Sequence, residues 1–182
     1  MNALTTIFVL TAAFLAVFCQ CAFQGLRHLL GAQVDLLPPL MVYASLCGGL
    51  HTVALLALLG GLFFDSLSAN PLGVTILPLF LVGLAIYLSR DVILRHQTFA
   101  QFIIGLSASA AAPALTLLLL LTMGHTPLFG WGTLWQWIVM SLGGACATPL
   151  CFLALDWLES NLVHGRVSET SFRPDREIRR GR

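Results

Sequence analysis

The sequence predicts an all-α fold, a polytopic transmembrane helical bundle, and three observations carry that prediction. Of its 182 residues, 58% are hydrophobic and only 9% are charged, against about 25% charge in ordinary soluble domains. Nine of the acidic and basic residues fall between His164 and Arg182, which leaves eight for everything before them. No charge occurs from Leu36 to Phe64, and none from Ser66 to Ser89. A soluble domain cannot cover its surface with so few charges, whereas lipid requires an apolar one. A transmembrane barrel would alternate apolar and polar residues along each strand. The runs here are apolar on every face, as helices at membrane depth are.

Taken in order, the apolar segments span about Leu4 to Phe23, Leu36 to Phe64, Leu72 to Ser89, Phe99 to Met123 and Leu134 to Leu155. A crossing needs about 20 residues. The first segment lacks a basic leader and a small-x-small cleavage site, so it reads as a retained helix. The second is too long for one upright crossing. Pro38-Pro39 near its start and CGGLHT in its middle divide it into two short helices, about Leu36 to Leu46 and Thr52 to Phe64. Neither is full length, so tilt, burial or shallow insertion is expected of one or both.

Arg90 and Arg95 flank one loop, and Arg166, Arg179 and Arg180 belong to a tail of six arginines and three acids. The positive-inside rule places both on the cytoplasmic side. Counting back from there puts the loop at Asp65–Pro71 outside, and the residues alone admit five or six crossings. The domain reading is a helical bundle over 1–163 and a short arginine-rich cytoplasmic tail over 164–182, able to rest on anionic lipids. Trp131, Trp135 and Trp137 open the last segment and fit an interfacial anchor.

Candidate chemistry is sparse. Asp35, Asp65, Asp91, Asp156 and Glu159 all stand near predicted helix boundaries, none centred in a span as a proton-relay acid would be. Cys19, Cys21, Cys47, Cys146 and Cys151 have no redox or metal-site spacing and read as small packing residues. No serine-hydrolase, zinc-protease, P-loop or dinucleotide fingerprint occurs. Neither a metal, a cofactor nor a nucleic-acid partner is expected. Glycine and alanine clusters instead predict close helix packing.

The stretch FFDSLSANPLG, Phe63 to Gly73, puts Asp65 between two apolar runs. Pro71 suits the start of the next helix, Gly73 close packing, and Ser66 to Asn70 offer side-chain oxygens to free backbone N–H groups. VDLLPPLMVYASL, then ALLGGLFFDSLSANPLGVTILPLFLVGL, resembles the MreD family of bacterial rod shape-determining proteins. The matching positions are Asp35, Leu36, Gly61, Asp65, Leu67, Pro71, Leu72 and Gly73, with Gly83, Arg90 and Arg95 after them. The motif covers about residues 34–95; the double proline, GGLHT and the long tail depart from it.

The resemblance implies a bacterial inner-membrane protein of six helices, similar to the substrate-binding subunits of energy-coupling-factor transporters. It implies work with an MreC-like membrane protein, an MreB-like filament and peptidoglycan-synthesising enzymes, with no catalysis by this subunit. The competing expectation is a small-molecule-binding transporter subunit, with a pocket lined by groups such as His51, Gln101 or Thr75.

Overall fold

The computed structural model describes residues 3–22, 31–68, 71–91, 93, 97–124 and 130–164. Six helical rods occupy them: α1 (Ala3–Ala22), α2 (Leu37–Cys47), α3 (Leu50–Leu67), α4 (Ile76–Ser89), α5 (Thr98–Thr122) and α6 (Trp131–His164). Three stretches are long and apolar enough to cross a membrane: α3, α5 and Trp131–Leu158 of α6. This is an all-α bundle consistent with a multi-pass membrane protein. Arg95, Arg166, Arg179 and Arg180, with the whole tail after His164, lie outside the described residues.

The long apolar run after Asp35 does break at the glycines. Gly48 and Gly49 are extended, and the Gly48 N–H closes the last turn of α2 on the Ala44 carbonyl at 2.9 Å. At 11 residues α2 is about 17 Å long, short of the roughly 30 Å of hydrocarbon. Leu37 through Leu46 are all buried. A helix enclosed by its neighbours need not match the bilayer, and this one forms the centre of the bundle.

The other rods reach α2 through small or matched surfaces. Val9, Ala13 and Val17, spaced by four on α1, form its buried stripe. A Cβ at Gly83 of α4 would lie 2.6 Å from Met41 Sδ and 2.8 Å from Val53 Cγ1, so α4 approaches both α2 and α3 there. At Gly61 of α3 a Cβ would come within 3.1 Å of the Ile76 backbone, which brings the entry of α4 against α3. Between Leu56 and Gly60, α3 widens into one π-helical turn.

The broadest contact is between α5 and α6. Gly105 faces Thr148, and Ser109 faces Gly144, so each glycine receives the hydroxyl-bearing side chain of the other helix. This reciprocal pattern at a spacing of four allows close approach where lipid supplies no hydrophobic drive. Pro113 removes a backbone donor within α5, and near this interruption Trp137 Nε1 donates to the Ala110 carbonyl at 3.0 Å. In α2, Tyr43 is buried edge-on to Phe152, with ring centroids 5.0 Å apart, and donates to Asp156 Oδ1 at 3.2 Å.

Helix limits differ from the apolar limits at three places, the first being α3, which runs from Leu50 to Leu67 and so takes in Asp65. α4 begins at Ile76 rather than Leu72, because residues 72–75 form a turn. α6 starts at Trp131 and runs to His164, 34 residues or about 51 Å. Hydropathy marks where a helix meets lipid, whereas backbone hydrogen bonding continues beyond that depth.

Candidate functional site

The motif acids Asp35 and Asp65, thirty positions apart, meet at one end of the bundle. The loop before α2, the end of α3, the start of α4, the second half of α5 and the start of α6 all border one cleft there. Rods α2 to α6 therefore alternate in direction. Gln20, near the end of α1, lies beside Asp35 at the same end.

Asp65 stands in the last turns of α3 and is 2% exposed. Its Oδ2 accepts the Gly73 N–H at 2.9 Å and the Thr75 N–H at 3.1 Å, and its Oδ1 accepts the Thr75 hydroxyl. Thr75 is the N-cap of α4. One carboxylate thus accepts from the free donors at the entry of the next helix, where a negative group is also favoured by the helix dipole. The turn depends on Gly73, whose φ is +93°, with nothing near enough to meet an added Cβ. Its role is conformational and not the close packing expected; that falls to Gly61. Val74 N–H reaches the Pro71 carbonyl at 3.3 Å, so Pro71 heads a turn and not the helix itself. Ser66 and Ser68 donate their hydroxyls to the Phe63 and Asp65 carbonyls at the end of α3, and Asn70 lies outside the described residues. Leu67 and Leu72 are exposed.

Asp35 performs a related task with different chemistry. Its Oδ1 accepts the Leu37 N–H at 3.0 Å. The next two residues, Pro38 and Pro39, have no N–H to satisfy. Leu40 N–H already reaches the Leu36 carbonyl at 3.2 Å. The sequence DLLPP therefore starts a fully buried helix with its first-turn donors accounted for.

The two acids differ in what remains open. Asp65 has three donors. Among the described residues Asp35, 9% exposed, has one, and the adjacent Gln20 amide, its polar atoms buried, makes no well-directed hydrogen bond. Asp35 lies in the loop before α2, outside the helical spans. Burial pushes its carboxyl up from 3.8 to about 6, against the smaller lowering effects of Leu37 N–H and Gln20. Below about pH 4 the group is protonated whether the chain is folded or not. As pH rises through 4 to 6 the unfolded chain ionises first, so stability falls across that window. The loss amounts to about 3 kcal/mol above it. Asp35→Asn keeps the acceptor for Leu37 N–H and removes the charge. Thermal unfolding in detergent should show this variant more stable than wild type at pH 8 and equal to it at pH 4.

The cleft has a volume of about 320 Å³. Gln33, Asp35 and Gln136 bring polar groups to it, over a floor that includes Leu79, Ala112 and Leu120. Of the groups expected at a transporter-type pocket, Thr75 alone lines it. His51 is exposed at the start of α3, and Gln101 is buried near the start of α5, each at the opposite end of its rod. Among the described residues, no group of three or more His, Cys, Asp or Glu is placed to hold a metal ion. The part of Asp35 that sequence reasoning missed is its burial; the signal available was an acid abutting a run that is buried on every face.

Comparison with protein-family models, with curated proteins and with solved structures finds no match to this chain.

Proposed function

We propose that the chain is a non-catalytic membrane subunit of a bacterial cell-elongation machinery, resembling MreD, which binds an MreC-like membrane protein and helps position peptidoglycan synthesis. The observation that carries this reading is the convergence of the motif. Asp35 precedes α2, Gly61 and Asp65 lie on α3, and Gly73 lies in the turn before α4, yet together they set the entries of α2 and α4 at one end of the bundle. Residues that match a family pattern because they shape one surface are expected to gather in this way. Gly83 supports the same arrangement from below, by seating α4 against Met41 and Val53.

In this reading six helices cross or enter the inner membrane, with the Asp65 end outside and the arginine-rich tail in the cytoplasm, near an MreB-like filament and anionic lipids. The bundle offers its partner a rigid outer end built on the two acid-fixed helix entries. Co-expression with an MreC-like membrane protein should yield a complex that survives purification in mild detergent, and depletion should round or widen rod-shaped cells. Normal rods after depletion, with no complex recovered, would refute the reading.

A second reading, a small-molecule-binding membrane subunit of a transporter, is favoured by one observation, the polar-sided cleft beside Asp35. It predicts a stoichiometric small ligand retained through purification.

A further inference from the structure

Buried carboxylates need a partner, because an ion taken out of water loses several kcal/mol of solvation unless charge or hydrogen bonds replace it. Asp65 meets that requirement within the fold through its three donors. Asp35 does not. Among the described residues it has one backbone donor and a neutral neighbour, Gln20, whose amide stands beside it without a well-directed hydrogen bond. Among the described residues no basic side chain borders it. Arg90, the described arginine, lies at the far end of α4, against Tyr87 and Asp91.

The open side of Asp35 faces a cleft. Its 320 Å³ fall at the lower end of the roughly 300–1,000 Å³ of small-ligand pockets. Two carboxamides, Gln33 and Gln136, stand at its border. Gln33 has no hydrogen-bond partner among the described residues, and the Gln136 amide has only a long contact of 4.0 Å to Met140 Sδ. The other polar side chains there are already engaged: Ser68 with the Asp65 carbonyl, Thr75 with the Asp65 carboxylate, and Thr116 with the Ala112 carbonyl at 3.0 Å. The remainder is apolar, with Phe64, Leu79 and Leu120 among it. The uncommitted chemistry is therefore one carboxylate and two amides beside a greasy wall, with no positive charge supplied by the described residues.

We infer that this cleft binds a primary ammonium group carried on an apolar body, the ammonium pairing with Asp35 and the body lying against Leu79 and Leu120. An anion would meet the Asp35 charge with no counter-charge, and a purely apolar guest would leave Asp35 and both amides unpaired. Gln136 stands between Trp135 and Trp137 on an exposed face of α6. Tryptophans favour the headgroup region, so the cleft lies at the depth where both a lipid-borne amine and a water-borne amine have access. The inference does not depend on the partner-binding function proposed above.

The test uses the full chain in nanodiscs whose lipid, phosphatidylcholine, carries no primary amine, with empty discs as the blank. Labelled 2-phenylethylammonium is added, and equilibrium dialysis at pH 7.5 measures saturable binding. One molecule per chain is expected, with binding weaker by at least about tenfold for 2-phenylethanol and for phenylacetate. Asp35→Asn, which keeps the cap on Leu37, should lower affinity by at least about tenfold. Thr116→Leu should also weaken binding, by filling the cleft with the carboxylate intact. Discs containing phosphatidylethanolamine separate the sources: competition assigns the site to a lipid headgroup, and undiminished binding assigns it to a water-borne amine. Equal binding of the alcohol, or unchanged binding by a folded Asp35→Asn chain, would overturn the inference.

Discussion

Asp65→Ala lowers the midpoint of thermal unfolding in detergent by on the order of 10 °C. The substitution leaves the Gly73 N–H, the Thr75 N–H and the Thr75 hydroxyl without their acceptor, around a residue that is 2% exposed. Hydrogen bonds to a charged acceptor contribute about 1.5–3 kcal/mol each, and burial prevents water from replacing them. Non-additivity within one site reduces the sum to about 3–5 kcal/mol. Asp65→Asn should cost less, because one carbonyl oxygen remains while the amide nitrogen is turned toward a donor. Thr75→Val should cost least, since it removes a single donor and leaves both backbone bonds. That order, Ala before Asn before Val, distinguishes a helix-entry carboxylate from an acid kept for chemistry. Size-exclusion profiles after heating to graded temperatures provide the measurement.

The second large effect belongs to the seam between α5 and α6. A Cβ at Gly144 overlaps both the Cβ and the Oγ of Ser109, so the conflict cannot be relieved by rotating the hydroxyl. Overpacking of this kind costs about 1–3 kcal/mol, and Gly144→Ala is expected at the upper part of that range. Ser109→Gly alone removes a buried hydroxyl that has no hydrogen-bond partner among the described residues, at a helix cost of about 1 kcal/mol. Combined, Ser109→Gly and Gly144→Ala exchange the small residue across the seam and restore the space. The double variant should therefore be more stable than Gly144→Ala alone, with a favourable coupling of at least about 1 kcal/mol. Strict additivity in thermal unfolding would show that the two positions do not meet.

Much of this fold was legible because membrane helices declare themselves by the absence of charge. The break at Gly48-Gly49 followed from a run too long for one crossing, and the short helix on either side followed from the break. Helix ends were less legible where polar groups continue a helix past its apolar stretch, as at Trp131–Gly132 and Asp156–His164 of α6. The site was legible in part. Asp65 reads as a boundary acid from its position between two apolar runs, but its three donors lie eight and ten residues onward, on the far side of a turn. Gly73 illustrates the difficulty: a glycine beside a proline is compatible with close packing and with positive φ, and only the backbone distinguishes them. Asp35 is the least legible, since its hydrogen-bond partner is the Leu37 N–H just ahead of a double proline, and the groups around it, Gln20 of α1 among them, come from elsewhere in the chain.

One measurement bears most directly on the division of labour between the two acids. Thermal unfolding of wild type, Asp65→Asn and Asp35→Asn is compared at pH 8 in one detergent. The structure predicts opposite signs: Asp65→Asn less stable than wild type because a satisfied carboxylate is lost, Asp35→Asn more stable because an under-satisfied buried charge is removed. If both variants shift the midpoint in the same direction, the assignment of one acid to closure of the fold and the other to an open cleft is contradicted.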